Sequence, residues 1–254
     1  MRLALLGDPV VQSRSPAIHL AALRSLGISG SYEARQVDAA GLEVALAEIG
    51  AGTLDGVNVT MPLKGAALAT VGGASPLATR AGAVNTVSRR AGVVFGDNTD
   101  VDGVRDAWQR GELPDDVPVL VLGSGGAAAA ALLAKEESEL LIASRRHGKG
   151  ESLATRLGIA VTGVDWGCVV EGAVVVNATP LGMRGETLPA GIIEACAGLF
   201  DMAYGASSTP SVGQAGQRPV VDGVDMLVAQ AARSFEIWTG VPAPLEVMAV
   251  AARS

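Results

Sequence analysis

A run of apolar residues from Val119 to Leu122 leads directly into a glycine-rich turn and then into an alanine-rich stretch. The turn and the start of that stretch read Gly123-Ser124-Gly125-Gly126-Ala127-Ala128. This is the spacing G-x-G-x-x-A between a predicted strand and a predicted helix. Glycines there let the backbone approach a pyrophosphate, and the helix N-terminus stabilises its negative charge. The motif therefore predicts a Rossmann domain that binds a dinucleotide through these turn residues.

The end of the next predicted strand, residues 139–143, indicates which dinucleotide binds. An NAD-binding domain usually carries Asp or Glu there, about 20 residues after the glycines, to bind the ribose 2′-hydroxyl. Here the strand is followed by Ser144-Arg145-Arg146. Because two guanidinium groups suit a 2′-phosphate, we expect the cofactor to be NADP. The alternative is that both arginines belong to a solvated turn.

Strand-like and helix-like patterns alternate along the whole chain, which predicts an α/β fold with mostly parallel sheets covered by helices. The length of 254 residues is enough for two domains of ordinary size. We predict an N-terminal α/β domain for substrate binding and catalysis, residues 1–100 plus 226–254, to which the C-terminal helices return. Residues 101–225 are predicted to form the NADP-binding Rossmann domain.

Composition and charge argue against several classes of partner. The formal net charge is −7 and Lys and Arg form no long runs, which argues against nucleic acid. No stretch approaches about 18 uninterrupted apolar residues, so we expect no membrane span. Cys168 and Cys196 lack metal-ligand spacing, so we expect reduced core thiols and no metal site. The N-terminal segment does not fit a signal peptide, and we expect a cytoplasmic protein.

The segment from Gly56 to Lys64 reads as a buried strand that turns directly into a helix. We expect Thr60 to cap that helix and Pro62 to lie in its first turn, which places Lys64 in the same turn. An exposed cation is disfavoured there by a few tenths to about 1 kcal/mol, because it faces the positive end of the helix dipole. Since the same penalty favours the neutral amine, Lys64 is a candidate general acid or base.

Other polar residues follow predicted strands, where ligands of parallel sheets collect. Ser13 and Ser15 follow the first strand, although Ser15 can be explained simply as the N-cap of the next helix. Asn58 and Thr60 lie at the end of the third strand. Asp100 lies just before a helix predicted at 101–110, and either Thr99 or Asp100 is its expected N-cap. We expect the Asp100 carboxylate to pair with Lys64.

Three segments in the second half carry further candidates. The predicted strand 173–177 leads into a loop that carries Thr179 and Met183, near the expected nicotinamide ribose. Tyr204 follows the strand 199–203 and either projects into a cleft or is a half-buried core ring. Gln230 shares a helix face with Met226, four residues earlier, and a glutamine on that apolar face suggests a polar ligand.

Together these motifs resemble shikimate dehydrogenases over nearly the full length. The matching stretches are Ser13-x-Ser15-Pro16-x-x-His19, Asn58-Val59-Thr60-x-Pro62-x-Lys64, Gly82-Ala83-x-Asn85-Thr86, Asn98-Thr99-Asp100-x-x-Gly103, the Gly123 motif, Asn177-Ala178-Thr179-Pro180-x-Gly182-Met183 and Gly223-x-x-Met226-Leu227-x-x-Gln230-Ala231. The family usually has Asn where this chain has Leu20, Asn-Arg-Thr where it has Ser144-Arg145-Arg146, and Pro where it has Ala206.

The resemblance implies NADPH-dependent reduction of 3-dehydroshikimate to shikimate, in chorismate and aromatic amino acid biosynthesis. Lys64 matches the catalytic lysine and Asp100 its partner. The substrate-binding positions that it implies are Ser13, Ser15, Asn58, Thr60, Asn85, Tyr204 and Gln230. It adds Gly223 and Met226 to the cofactor-binding residues. We expect a monomer or homodimer. Two alternative functions are a quinate/shikimate dehydrogenase that uses NAD, and a sensor that binds shikimate and cofactor without turnover.

Overall fold

The computed structural model describes residues 1–205 and 207–254. Its contacts divide the chain into two compact units, Met1–Gly103 with Leu227–Ser254, and Val104–Met226. The sequence predicted boundaries at 100 and 226. Both division points fall inside helices, so two continuous helices connect the units.

Within the described residues, twelve strands form two six-stranded sheets, one in each unit. The strands are β1 (Arg2–Gly7), β2 (Ser31–Gln36), β3 (Gly56–Val59), β4 (Gly73–Ala74), β5 (Thr86–Arg90), β6 (Val93–Asp97), β7 (Val119–Leu122), β8 (Leu140–Ala143), β9 (Thr162–Gly163), β10 (Val174–Asn177), β11 (Gly198–Asp201) and β12 (Val220–Val221). The helices are α1 (Ser15–Ser25), α2 (Ala39–Ala51), α3 (Lys64–Thr70), α4 (Pro76–Ala81), α5 (Thr99–Arg110), α6 (Gly126–Ala134), α7 (Lys149–Leu157), α8 (Ile192–Ala195), α9 (Pro210–Gln214), α10 (Gly223–Thr239) and α11 (Leu245–Arg253).

The sheet of the first unit has the order β2-β1-β3-β5-β6-β4. β1 pairs in parallel with β2 and β3, and β4 with β6, whereas β5 is antiparallel to both its neighbours. The expected hairpin of β5 and β6 turns through Ala91 and Gly92, both with positive φ. Leu42, Leu46 and Ile49 of α2 belong to the hydrophobic core cluster that also contains side chains of β1 and β3. The result is the mostly parallel, helix-covered sheet that was predicted.

The sheet of the second unit has the order β12-β11-β10-β7-β8-β9, and all of its strand pairs are parallel. Counting from β7, this is the strand order of a dinucleotide-binding Rossmann domain. All four residues of β7 are buried, as expected for a central parallel strand. The order of the strands reverses between β7 and β10, which is where such folds bind dinucleotides.

Three predicted helix caps were wrong. α1 begins at Ser15 itself, and the Ser13 hydroxyl accepts from the Ser15 backbone N–H at 3.2 Å. Thr60 does not cap α3, because its N–H extends the β1 pairing by donating to Leu6 O; a turn closed by Leu63 N–H and Thr60 O follows. α3 therefore starts at Lys64, and Pro62 precedes it.

At α5 the cap is also a different residue, since Asn98 Oδ1 accepts from the N–H groups of Asp100 and Val101, at 3.1 and 3.3 Å. Thr99 is the first residue of the helix rather than its cap. In the described ranges, no helix has both the length and the apolar character needed to cross a bilayer.

Candidate active site

Lys64 and Asp100 form an ion pair in the first unit. Lys64 is the first residue of α3, Asp100 lies in the first turn of α5, and Lys64 Nζ is 2.6 Å from Asp100 Oδ2. The side chains are 27% and 13% exposed, so the ammonium is supported by protein yet open to a ligand. The structure thus places together the two residues that sequence reasoning paired.

Asn85 fixes the other side of the Asp100 carboxylate. Its Nδ2 donates to Asp100 Oδ1 at 2.8 Å and to the Thr99 hydroxyl at 2.9 Å, while its Oδ1 accepts from Thr99 N–H at 2.8 Å. The Gln230 amide oxygen lies 3.5 Å from the same Nδ2. Because Asp100 is held by an ammonium and an amide, its carboxylate has one preferred orientation.

The Asn58 amide is fixed by a second set of contacts. Tyr32 Oη donates to Asn58 Oδ1 at 2.8 Å, and Asn58 Nδ2 lies 2.9 Å from the Ser234 hydroxyl. The same nitrogen lies 3.2 Å from both Asn85 O and Thr86 Oγ1. Asn58 and Asn85 therefore belong to one hydrogen-bonded network.

Sequence reasoning missed Tyr32 and Ser234. Ser234 is fully buried, and its hydroxyl lies 2.8 Å from that of Thr86 and 3.1 Å from that of Thr99. It occupies α10 four residues after Gln230, which puts both on one helix face. That spacing was a usable signal for Ser234. Tyr32 on β2 carries no comparable local signal.

The remaining substrate-side candidates are distributed over both units. The hydroxyls of Ser13 and Ser15 lie 3.2 Å apart, and Ser15 is buried. Thr60 is half-buried beside Gly7, where an added Cβ would overlap the Thr60 methyl group. Tyr204 is half-buried and belongs to the second unit. Ala206, where the chain departs from the family pattern, lies outside the described residues.

His19, to which sequence reasoning assigned no chemistry, is a buried packing residue. Its ring stacks on Tyr32 with centroids 4.5 Å apart and planes 8° apart, and it also contacts Trp238 at 5.2 Å. Burial lowers the pKa of His19 to about 3, against a smaller opposing effect of the Asn58 side chain. The neutral ring therefore supports Tyr32, which in turn holds Asn58.

The glycine-rich turn of the second unit is open towards solvent. α6 begins at Gly126, and a Cβ added at Gly125 or Gly126 would meet nothing within 4 Å. By contrast, Gly123 has φ of 131°, and a Cβ there would lie 2.8 Å from Ala178 O. Ser124 is half-buried and Ala127 exposed. The turn leaves room for a pyrophosphate beside the first N–H groups of α6.

Arg145 and Arg146 are exposed after β8, and neither guanidinium makes a hydrogen bond or ion pair within the described ranges. The Ser144 hydroxyl is already engaged, since it donates to Arg146 O at 2.8 Å and accepts from Gly150 N–H at 3.2 Å. The two arginines are thus available to a phosphate, while Ser144 shapes the turn that presents them.

The other predicted cofactor residues lie in loops after β10 and β12. Thr179 donates its hydroxyl proton to Asn177 Oδ1 at 2.6 Å, and Met183 is exposed. Gly223 starts α10, where a Cβ would lie 2.6 Å from Ala203 O, and Met226 is half-buried one turn later. In a Rossmann domain these loops border the switch point between β7 and β10.

Comparison with known proteins gives a consistent result. The family model described as "Shikimate dehydrogenase substrate binding domain" matches residues 5–87, and "Shikimate 5'-dehydrogenase C-terminal domain" matches residues 223–253. A shikimate dehydrogenase (NADP(+)) of Thermus thermophilus is 38% identical over 248 residues, which are 95% of this chain and 93% of that protein. The corresponding protein of Alkalilimnicola ehrlichii is 39% identical over 94% of both chains.

Solved structures agree. The crystal structure of a shikimate 5-dehydrogenase from Thermus thermophilus in complex with NADP(H) and shikimate has a TM-score of 0.89 and 37% identity. The match covers 100% of this chain and 98% of that chain. Mycobacterium tuberculosis shikimate dehydrogenase has a TM-score of 0.83 and 35% identity, with 99% and 98% coverage.

Proposed function

Because the chain belongs to the shikimate dehydrogenase family, we propose that it catalyses the reversible, NADP-dependent reduction of 3-dehydroshikimate to shikimate. This reaction belongs to the biosynthesis of chorismate and the aromatic amino acids. The observation that carries the proposal for this chain is the Lys64–Asp100 pair, held at 2.6 Å beside the amides of Asn85 and Asn58. We assign catalysis and all the substrate-binding residues except Tyr204 to the first unit, and NADP binding to the second.

Lys64 is the proton donor in the direction of reduction. NADPH held by the second unit would supply the hydride for the ketone carbon, and the ketone oxygen would then need a stabilising charge and a proton. The Lys64 ammonium supplies that charge and delivers a proton to the oxygen; in reverse, the neutral amine accepts the proton from the hydroxyl. Asp100 orients the lysine and balances its charge.

The substrate carries one carboxylate and several hydroxyls, which suits the neutral polar residues around this pair. We assign its binding to the hydroxyls of Ser13, Ser15 and Thr60, to the amides of Asn58, Asn85 and Gln230, and to Tyr204. Asn58 and Asn85 are already oriented by buried hydrogen bonds, so little side-chain entropy is lost when substrate binds.

For NADP, we assign the pyrophosphate to the turn from Gly123 to Ala127 and the 2′-phosphate to Arg145 and Arg146, with Ser144 shaping that turn. Thr179, Met183, Gly223 and Met226 contact the nicotinamide half. The residues fit the cofactor, because the glycine turn is open and both guanidinium groups are exposed without a partner in the parts of the chain that are described.

The deciding experiment follows the absorbance of NADPH after addition of 3-dehydroshikimate to the purified protein. We expect turnover with NADPH and a much lower kcat/KM with NADH, and shikimate to be preferred over quinate in reverse. A clear NADH preference would favour the NAD-dependent quinate/shikimate dehydrogenase. Tight binding of shikimate and NADP without turnover would favour a sensor. The intact Lys64–Asp100 pair argues against that alternative.

We propose a cytoplasmic enzyme without a nucleic-acid or membrane partner, working as a monomer or homodimer. The net charge of −7 supports the exclusion of nucleic acid. Light scattering of the purified protein would give the mass of the particle to compare with the 25.5 kDa chain.

A further inference from the structure

Asp201, the last residue of β11, is a fully buried carboxylate that the catalytic proposal does not use. No cation pairs with it in the described part of the chain. A buried acid without a counter-ion is unfavourable unless several donors compensate it. Burial raises the pKa of Asp201, while hydrogen bonds from Thr209, Ala203 and Asn177 oppose that rise.

The donors come from three separate segments. Asp201 Oδ1 accepts from Asn177 Nδ2 at 2.8 Å and from Ala203 N–H at 3.1 Å. Asp201 Oδ2 accepts a short hydrogen bond from the hydroxyl of Thr209, the N-cap residue of α9. One carboxylate therefore connects the end of β10, the end of β11 and the start of α9.

Asn177 also makes hydrogen bonds within the loop that follows β10. Its Nδ2 also donates to Leu181 O at 2.9 Å, and its Oδ1 accepts from both the N–H and the hydroxyl of Thr179, at 3.1 and 2.6 Å. The Thr179 hydroxyl in turn accepts from Leu181 N–H at 3.2 Å. Both donors and both acceptor sites of the Asn177 amide are used, so the loop is folded around it.

Two close approaches hold the same segments together. Gly182 has φ of 102°, and a Cβ there would lie 2.9 Å from Thr209 Cβ. A Cβ at Gly205 would lie 2.9 Å from Met183 O. The loop that bears Thr179 and Met183 is thus packed against the segment after β11 at two points, in addition to its hydrogen bonds.

The position of this loop indicates which part of the cofactor it serves. A dinucleotide lies across the switch point of the sheet, with its adenosine ribose at the end of the second strand, here β8 with Arg145 and Arg146. The nicotinamide half must then extend to the other side, over β10 and β11. Asp201 is the last residue of β11 and therefore belongs to that side of the sheet.

We propose that Asp201 is a positioning residue for the nicotinamide half of NADP: through Asn177 and Thr209 it fixes the loop that carries Thr179 and Met183. This inference rests on the proposed function, because it assumes that NADP binds here. It assigns no chemical step to Asp201, whose carboxylate is buried and engaged by protein donors.

The test compares two ligands, NADP⁺ and 2′,5′-ADP, by titration calorimetry. The second lacks the nicotinamide half and reports only the adenosine side. Asp201→Ala leaves the donors of Asn177 and Ala203 without their acceptor, so NADP⁺ affinity should fall about 10-fold or more while 2′,5′-ADP affinity changes less than about 2-fold. The KM for NADPH should rise, with the KM for 3-dehydroshikimate nearly unchanged.

Asp201→Asn is the conservative control. Its amide oxygen still accepts from Asn177 and Ala203, and the Thr209 hydroxyl can turn to accept from the amide N–H. It should therefore restore NADP⁺ affinity to within about 3-fold of the wild type. An Asn variant as weak as the Ala variant would contradict positioning by hydrogen bonds.

If Asp201→Ala does not fold, two variants of Thr209 provide a second test. Thr209→Val keeps the shape and removes the donor, so it should weaken NADP⁺ selectively, whereas Thr209→Ser keeps the donor and should not. The inference is overturned if Thr209→Val binds NADP⁺ like the wild type, or weakens both ligands equally. Wild-type protein that binds 2′,5′-ADP and NADP⁺ but reduces no 3-dehydroshikimate would overturn the proposed function alone.

Discussion

The surroundings of Lys64 and the glycine-rich turn before α6 are built in opposite ways. Around Lys64, side chains from β2, β3, α5 and α10 form one largely buried hydrogen-bonded network. At the glycine-rich turn, Gly125 and Gly126 face open space, and Arg145 and Arg146 are exposed without a partner within the described residues.

This difference follows from what each region has to bind. A small, polar substrate must be held within a fraction of an ångström of the reacting groups, which requires donors and acceptors fixed in advance. A pyrophosphate is recognised largely by backbone N–H groups at a helix start, and a 2′-phosphate by flexible arginines that become ordered when it binds. Substitutions should therefore affect turnover in the first region and cofactor affinity in the second.

The largest effect is expected at the centre of the fixed network. Lys64→Ala removes the proton donor and should lower kcat by about 10²–10⁴-fold, with the thermal unfolding midpoint little changed. Steady-state kinetics with saturating NADPH measures it. Lys135→Ala is the matched control, because Lys135 also pairs with an aspartate, Asp115, at 2.5 Å. Full turnover by Lys64→Ala would remove Lys64 from the mechanism.

The second prediction concerns the buried ring of His19, whose packing against Tyr32 should become less stable at acidic pH. The pKa of buried His19 is about 3 in the folded protein and 6.5 when exposed, so the folded state binds fewer protons than the unfolded state. The stability due to neutral His19 is complete above pH 6.5 and is lost as pH falls towards 3. By pH 4 the free energy of unfolding should fall by roughly 3 kcal/mol through this group.

His19→Phe keeps an aromatic ring on Tyr32 and should abolish that part of the pH dependence, whatever its constant packing penalty. Urea denaturation at several pH values between 4 and 7 gives the slope. His147→Phe, at the exposed second histidine, serves as control and should keep the wild-type slope. Equal slopes in both variants would show that His19 does not titrate as described.

In the cofactor-binding region, Arg145→Ala should weaken the binding of NADPH but not that of NADH. Hydrogen bonds to a charged phosphate contribute about 1.5–3 kcal/mol, so the KM for NADPH should rise about 10- to 100-fold while that for NADH stays nearly constant. Arg156→Ala, on the exposed surface of α7, is the control for loss of positive charge. An equal rise for NADH would mean that Arg145 does not contact the 2′-phosphate.

The contrast between the two regions also explains what the sequence could predict. The cofactor turn is local: strand, glycines and helix are consecutive, so the Rossmann order of the second sheet followed from a pattern within about 20 residues. The pairing of Lys64 with Asp100 was also predicted, because each lies at a helix start after a strand of the same sheet.

Non-local features were missed for a physical reason. Tyr32 reaches Asn58 only because β2 and β3 both flank β1, and Ser234 joins the network only because α10 returns to the first unit. The caps were predicted wrongly because local preference was overridden: Thr60 continues the β1 pairing, and Asn98 caps α5 in place of Thr99 or Asp100. The short elements β4, α4, α8 and α9 have too few residues to show a period.

The smallest effect is expected at Ser234, where the network can partly compensate. Ser234→Ala removes one of three acceptors near Asn58 Nδ2, but that nitrogen has only two hydrogens, and Asn85 O and Thr86 Oγ1 remain. The free energy of unfolding should fall by about 1 kcal/mol, and the KM for 3-dehydroshikimate should rise a few-fold as Asn58 loosens. The Ser234 hydroxyl also lies 3.1 Å from Gln230 O, four residues earlier on α10. Ser152→Ala is the control, because the Ser152 hydroxyl donates in the same way to Gly148 O but on an exposed surface. If both variants lose the same stability and neither changes KM, Ser234 contributes only to its helix, and the fixed network is smaller than the hydrogen bonds indicate.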